Sequence, residues 1–336
     1  MASHRSRILG IASLVAVAAV TALPEPSWAS TSLSTTVVSA SASGPNVANT
    51  EVDVFTHCSS GIAGGGGARV DVTSGSIPDG LKLDGTTPST NGTGQSGNGD
   101  TSPAYWLGAG GAGGQAPTNA ETWAYGMCIA QGTGKGPTAT VVEVSSVSGP
   151  NTGDTIATAV ATCPGGDRLL GGGARTTPGS VGSLKIIGSY PSTSSGTPVT
   201  SGTNPSSWAA IGLNGGGGGT NTTYAFAVCS TNASNPTVTV ENAEVSGPTA
   251  ASSAASATVS CPANTALLGG GAFISNSFGL PASQGDHLTG DYPSNSSGTP
   301  ITSGSAGSWT AGSHTGGQAS SGTVTDVWAL CGSQTY

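Results

Sequence analysis

The sequence predicts an all-β protein made of three homologous units of about 100 residues each. Cysteines open and close the units in a fixed order. A Gly-Pro dipeptide precedes each opening cysteine, and its glycine lies 14 residues ahead every time (58−44, 163−149 and 261−247). A glycine run ending in alanine and then a tryptophan follow in every unit. The cysteine pairs that bound the units are Cys58 and Cys128, Cys163 and Cys229, and Cys261 and Cys331.

Each unit contains six segments that are typical of short strands. The clearest alternation runs from Ile156 to Cys163, where β-branched residues occupy one face and alanines with the cysteine occupy the other. The third segment enters the glycine run at Leu169, the fourth begins at Leu184, and the fifth carries Trp208. We expect three antiparallel β-sandwich-like units, each with one internal disulfide. One pseudo-threefold β assembly is the alternative, and the pattern leaves open whether the units pack together or hang as separate beads.

The first residues are typical of a secretory signal peptide. A basic start is followed by an almost unbroken apolar run from Ile8 to Leu23, and Ser27-Trp28-Ala29 supplies small residues at both cleavage-determining positions. A membrane anchor is the alternative, but the run is short for a span of about 20 residues. We expect cleavage after Ala29 and a secreted, extracellular protein with no membrane association after cleavage. The units then cover 30–136, 137–235 and 236–336.

The charge balance excludes two classes of partner. Only 7% of the residues are charged, with 16 Asp and Glu against 8 Lys and Arg. Nucleic-acid binding needs clustered Lys and Arg that displace counterions from phosphates. Anionic membranes also attract basic segments. We therefore expect no nucleic-acid partner and no binding to an anionic membrane.

The cysteines predict three disulfides within the units. Six cysteines allow 15 pairings, and only pairing inside each unit treats all three units alike. The expected bonds are Cys58–Cys128, Cys163–Cys229 and Cys261–Cys331. Metal binding, the rival role for cysteine, needs short spacings of the Cys-x-x-Cys kind, which this chain lacks. Disulfides also suit an oxidising compartment.

The glycine runs are not predicted to bind phosphate. No Gly-Lys-Ser or Gly-Lys-Thr follows Gly171-Gly172-Gly173, and no helix is predicted there. We interpret each run as a strand edge where a bulky side chain cannot fit, or as a bulge that needs a positive φ.

Candidate catalytic residues are few. The histidines after the signal are His57, His287 and His314, and the middle unit has none, which excludes a repeated catalytic base. Asp286, His287 and Asp291 lie close in sequence, but such residues more often decorate a polar loop. Oxygen ligands for calcium occur at Asn91, Asn98 and Asp100, without the spacing of an EF-hand. We expect no catalytic residue, no metal site, no cofactor and no enzymatic activity.

The recurring large side chains are aromatic. Trp106, Trp208 and Trp309 are predicted to fill the cores, because few other large side chains are available to each unit. Tyr190 and Tyr292 precede Pro-Ser turns where strands end. These two tyrosines are therefore the predicted exposed ligand-binding residues, with a glycan or a cell-surface component as the possible partner.

Together the residues Cys-Pro-x5-Leu-Gly-Gly-Gly-Ala, Tyr-Pro-Ser, Trp and aromatic-x-x-Cys resemble a module of uncharacterised secreted actinobacterial proteins, also seen at the ends of bacterial collagen-like proteins. The first unit departs from it at Ser59 and Thr87. The resemblance implies export and a small β module, and it carries no activity. We expect a non-enzymatic extracellular or cell-surface structural or binding protein. A lectin-like carbohydrate-binding protein is the first alternative, and a secreted hydrolase is the second.

Overall fold

The computed structural model confirms the all-β class. It describes residues 33–130, 137, 139–231, 236–276, 285–317 and 321–333, so the predicted signal peptide lies outside the described residues. Within these ranges the chain forms 18 strands and no helix. None of the described residues belongs to a helix that could cross a membrane.

Each unit contributes six strands, as the sequence predicts. The first unit supplies β1 to β6, which are Thr35–Ser43, Glu51–His57, Ile62–Val72, Leu81–Ser89, Tyr105–Ala112 and Ala120–Ile129. The second supplies β7 to β12, which are Thr140–Ser148, Thr155–Thr162, Arg168–Thr177, Leu184–Ser192, Ser207–Asn214 and Thr222–Ser230. The third supplies β13 to β18, which are Thr237–Ser246, Ala254–Ser260, Ala266–Asn276, His287–Ser294, Ser308–His314 and Thr323–Ser333.

The strands form three six-stranded antiparallel sheets, and each sheet takes three strands from each of two units. Sheet I has the order β1-β6-β3-β16-β17-β14, sheet II β2-β5-β4-β9-β12-β7, and sheet III β13-β18-β15-β10-β11-β8. The third strand of each unit thus pairs with the fourth strand of another unit, in a closed cycle. The units are therefore not separate beads. The predicted alternative, a pseudo-threefold β assembly, describes how they are joined.

The seams between units rest on short pairings at equivalent positions. In sheet I, Asp291 of β16 lies opposite Ala68 of β3. In sheet II, Thr86 of β4 lies opposite Ala174 of β9, and sheet III repeats the arrangement between β10 and β15. Each seam pairs only two residues on each strand. Packing of side chains across the seams must therefore add to these few hydrogen bonds.

Three equivalent glycines of the runs, Gly65, Gly171 and Gly269, meet one another where the units join. A Cβ atom at Gly171 would lie 2.7 Å from the Cα atom of Gly65, and one at Gly65 would lie 2.9 Å from the Cα atom of Gly269. Equivalent residues of three units can contact one another only on the pseudo-threefold axis. A side chain at Gly65 or Gly171 would therefore push neighbouring units apart.

The last two glycines of each run make two different close contacts. A Cβ atom at Gly172 would overlap the Trp208 ring of the same unit, and one at Gly173 would overlap the main chain of Thr86 in the first unit. The other two runs repeat both contacts. The prediction that these positions have no room for a side chain is confirmed. A β-bulge lies directly before Gly65, Gly171 and Gly269, but none of the ten glycines in the three runs has a positive φ.

All three predicted disulfides are present, with Cα–Cα distances of 5.5, 5.6 and 5.6 Å. Each bond joins two different sheets. Cys58 follows β2 of sheet II and bonds to Cys128 in β6 of sheet I. The other two bonds join sheets III and II and sheets I and III, so every pair of sheets carries one disulfide. Disulfides of this kind suit an oxidising environment.

Trp106, Trp208 and Trp309 are fully buried, as predicted. The fourth strand of each unit has a β-bulge that is followed by a glycine, which we call the bulge glycine (Gly85, Gly188 or Gly290). Each indole nitrogen donates a hydrogen bond to the residue after the bulge glycine of its own unit. The acceptor is Thr86 for Trp106, at 2.8 Å, and Ser189 for Trp208, at 3.1 Å. In the third unit the acceptor is the carboxyl group of Asp291. The same polar position is thus a hydroxyl twice and a carboxyl once.

Candidate functional site

A pocket of about 310 Å³ lies where the three units meet at the start of their fourth strands. It is lined by equivalent residues of every unit, which places it on the pseudo-threefold axis. Seven of the thirteen lining residues are glycines, so main chain forms much of its wall. The lining residues are Asp79, Gly80, Lys82, Gly113, Gly114, Gln115, Gly182, Ser183, Lys185, Gly215, His287, Gly316 and Gly317. We call this cavity the axial pocket.

One basic side chain from each unit enters the lining of the axial pocket. Lys82, Lys185 and His287 each lie three residues before the bulge glycine of the fourth strand (85−82, 188−185 and 290−287). All three are nearly inaccessible to solvent, with exposures of 3%, 7% and 2%. Buried basic groups are rare, and here three of them occupy one equivalent position beside the same pocket, so this triplet is the principal candidate site.

The two lysines have different surroundings. Lys82 forms a buried ion pair with Asp84 on the same strand. Burial, and then the nearby charge of Lys82, lower the pKa of Lys185 to about 8, although Asp286 acts in the opposite direction. The charge on Lys82 therefore acts on Lys185 across the axis. A further negative charge in the pocket would favour the protonated form of Lys185.

One ring nitrogen of His287 forms a hydrogen bond, and the other has no partner within the described residues. Its Nδ1 lies 2.9 Å from the carbonyl oxygen of Gly285, an acceptor, so Nδ1 carries the proton. Its Nε2 is buried and forms no hydrogen bond within the described part of the chain. Burial, and then the charge of Lys185, hold the pKa of His287 well below its usual value. The ring is therefore neutral, with an open acceptor.

The histidines predicted as candidate catalytic residues are only partly brought together. His287 and His314 are cross-strand partners with ring centroids 5.3 Å apart, and Asp286 is buried beside them. Asp291 instead accepts the indole hydrogen bond of Trp309. His57 stacks on Tyr105 at 4.4 Å in the first unit. The nitrogen of His287 that would be oriented by a carboxylate in a catalytic triad bonds to a main-chain carbonyl.

The prediction that Tyr190 is exposed is wrong. The side chain is 2% exposed, because it lies at the seam of sheet III and stacks on Trp328 and Phe273, with ring centroids 5.4 and 5.0 Å apart. Its hydroxyl donates to the carbonyl oxygen of Gly196 and so closes the Pro-Ser loop. A shallow groove of about 410 Å³, which includes the exposed Ile156, borders the ring. A ligand-binding role for Tyr190 stays a prediction.

Tyr292 is the equivalent residue at the seam of sheet I and is partly buried. Its ring lies 6.0 Å from Tyr125 and 5.9 Å from the guanidinium carbon of Arg69. It lines a groove of about 180 Å³, and its hydroxyl donates to the carbonyl oxygen of Gly298 at 3.4 Å. Tyr292 is therefore more accessible than Tyr190. Its binding role also stays a prediction.

The seam of sheet II carries charge in place of the tyrosine. Thr87 occupies the tyrosine position, and Arg175 forms ion pairs with Glu51 at 2.7 Å and Asp53 at 3.1 Å. Burial raises the pKa of Glu51 to about 7 in spite of the arginine. The three seams thus share a backbone geometry and differ in their side chains.

The candidate calcium ligands are occupied by loop hydrogen bonds. Asp100 accepts from the hydroxyl of Thr90 and the amide of Gly97, and Asn98 accepts from the amide of Val144. Asn91 accepts from Thr93. No group of three or more His, Cys, Asp or Glu residues within the described ranges is arranged to hold a metal ion.

Comparison with known proteins leaves the sequence resemblance untested. No protein-family model matches the chain, and no curated protein matches it at a significant level. The axial pocket itself was missed by sequence reasoning, because its three basic residues are of two types. An alignment on Gly85, Gly188 and Gly290 would have shown that they share one position.

We expect Asp291→Ser, which copies Ser189 of the second unit, to stabilise the protein at neutral pH. Burial raises the pKa of Asp291 well above its usual value, and its Oδ2 atom has no hydrogen-bond partner within the described residues. A group whose pKa is raised by folding opposes folding once the pH exceeds its unfolded value of about 4. Removing it should raise the free energy of unfolding by about 1–3 kcal/mol at pH 7.

Urea unfolding at pH 7 and pH 3 checks this expectation. The gain should shrink at pH 3, where the carboxyl is protonated in both states. Asp167→Ser, on a partly exposed turn, removes the same charge and should change little. A loss of stability at pH 7 in the Asp291→Ser variant would show that the carboxyl has a favourable role in the core.

Proposed function

We propose that this is an exported, non-enzymatic binding or structural protein that acts outside the cell or at its surface. The signal-like first residues and the three disulfides support export. One observation carries the binding role: the axial pocket is built from equivalent residues of all three units. A site of that kind belongs to the assembled body, and the disulfides between the sheets keep it rigid.

Rigidity matters because a preformed site loses little conformational entropy when a ligand enters. The glycine-lined wall of the axial pocket rests on the three sheets that the disulfides join. The seam grooves beside Tyr190 and Tyr292 are further contact surfaces on the same body. These two grooves support a lectin-like function as the alternative, since their aromatic rings and hydroxyls could contact a sugar.

A hydrolytic function is the second candidate, because His287 and His314 do lie together beside a pocket. The hydrogen bond from His287 to a main-chain carbonyl argues against it, since a catalytic histidine is usually oriented by a carboxylate. The hydroxyl of Ser183 is in the pocket lining, but it donates to Oδ1 of Asn214 at 2.8 Å and not to a histidine.

Expression of the full chain in a secreting bacterial host tests export and function together. We expect protein in the medium that begins at Ser30. The purified protein should melt at higher temperature with at least one member of a panel of glycans, cell-wall fragments and small anions, since a ligand that binds the folded state stabilises it. Turnover of ester, glycoside or peptide substrates that His287→Ala abolishes and His57→Ala retains would overturn the proposal.

A further inference from the structure

We propose that the axial pocket is a binding site for a small oxyanion of the sulfate, phosphate or carboxylate class, contacted by Lys185 and His287 and supported by Lys82. The oxyanion site rests on the proposed binding function, because it names the ligand class for the same pocket. The first argument is geometric. Three basic side chains from three units converge on one cavity at equivalent strand positions.

The second argument is the charge inside the cavity. Asp79 is the one carboxylate among its described lining residues, and it accepts a hydrogen bond from Ser252. Asp84 neutralises Lys82, and Asp286 lies near Lys185, but neither carboxylate lines the pocket. The lining therefore presents two lysines against one carboxylate, and a neutral histidine. An oxyanion can accept charge-assisted hydrogen bonds from ammonium groups, which are stronger than neutral ones.

The third argument is the space left by the glycines. A pocket of about 310 Å³ lies at the lower end of the usual range for small-molecule sites. A Cβ atom at Gly114 would meet no atom within 4 Å, so this part of the wall is open. The cavity thus has room for an oxyanion and its remaining waters.

The open Nε2 of His287 gives the site a defined pH dependence. The neutral ring offers an acceptor there, whereas a fully ionised oxyanion needs a donor. Binding of such an anion therefore takes up one proton at Nε2 and strengthens as the pH falls. The groups that face this ring are Lys82, Lys185, His314, Asp79 and Asp286, together with the carbonyl oxygen of Gly285.

Sulfate is the best probe, since its own charge is constant between pH 5.5 and 7.5. We expect calorimetric titration of the mature protein with sodium sulfate, at constant ionic strength in sodium chloride, to show saturable 1:1 binding that is tighter at pH 5.5. Phosphate and citrate titrations then distinguish tetrahedral from carboxylate ligands. Binding of sulfate no better than chloride at both pH values would overturn the site.

Two variants assign the binding to the axial pocket. Lys185→Met should weaken sulfate binding at least about tenfold, the equivalent of one charge-assisted hydrogen bond. Arg168→Met loses the same charge outside the pocket lining and should bind normally. His287→Gln keeps a polar side chain that cannot take up a proton, and should reduce the difference between pH 5.5 and 7.5. The part that remains belongs to Asp84 beside Lys82, because burial raises the pKa of Asp84 to about 6. Unchanged affinity in the Lys185→Met variant would place the anion elsewhere.

If Lys185→Met does not fold, the wild-type protein still decides the matter. Nuclear magnetic resonance during sulfate titration should shift the amide signals of Gly113, Gly215 and Gly316 in the lining, but not those of Gly202 and Gly304 outside it. Shifts confined to residues outside the lining would overturn the assignment. A glycan that binds while sulfate does not would reject the oxyanion site alone. Enzymatic turnover would reject the non-enzymatic function and leave sulfate binding intact.

Discussion

Gly171→Ala should destabilise the whole protein by about 3 kcal/mol or more, at or above the upper end of the usual cost of overpacking. The added methyl would lie 2.6 Å from the carbonyl oxygen of Gly64 and 2.7 Å from the Cα atom of Gly65. Both atoms belong to the main chain of the first unit, so no side chain can rotate to relieve the clash. Since three units meet at this point, the backbone displacement would loosen every seam.

Urea unfolding of the purified variant measures this cost, and Gly165→Ala is the matched control. A Cβ atom at Gly165 would meet no atom within 4 Å, and the residue lies in an exposed turn. We expect the control to stay within about 0.5 kcal/mol of the wild type. If Gly171→Ala proved as stable as the control, the glycines would not form the close contact between units that the fold shows.

The strands and the disulfides could be predicted from the sequence because their signals are local or repeated. Alternation from Ile156 to Cys163 defined one strand, and only pairing within units treated Cys163 and Cys229 like the other cysteines. The buried face of that strand proved to be the alanine face, and Ile156 is 42% exposed. Small side chains let the two half-sheets of the unit approach, so the larger residue points outward.

The sharing of sheets between units could not be predicted, because each seam pairs only two residues on each strand. The pairing of Thr86 with Ala174, for example, leaves no periodic signal in either segment. A buried third strand looks the same in sequence whether its neighbour belongs to its own unit or to another. The glycine runs carried the relevant information, but three separate close contacts cannot be distinguished in a run of identical residues.

The position of Tyr190 shows the same limit at the level of a single side chain. A tyrosine before a Pro-Ser turn suggests exposure, and the end of an isolated strand would have left it accessible. The seam of sheet III instead places Trp328 and Phe273 against it. Both contacts come from the third unit. Tyr190 is buried because the units associate, and the sequence around Tyr190 contains no signal for that association.

Trp208→Ala should destabilise the protein by about 3–5 kcal/mol, the usual cost of removing a fully buried large aromatic side chain. The ring covers Gly172 and its indole nitrogen donates to Ser189 at 3.1 Å. Truncation would therefore leave a cavity above a glycine that has no side chain to fill it. It would also leave a buried hydroxyl without its donor.

Trp208→Phe separates these two contributions. It keeps most of the apolar volume over Gly172 and loses the hydrogen bond to Ser189, so we expect a cost smaller than that of the alanine variant. Urea unfolding of both variants gives the comparison. Trp123→Ala is the comparison variant, and it should destabilise the protein less than Trp208→Ala does. Trp123 is only partly buried, and its ring contacts Arg69 at a seam. An alanine variant of Trp208 that unfolds like the wild type would contradict the assignment of this tryptophan to the core. It would also favour a surface role, since a sugar-stacking residue can be removed at little cost in stability.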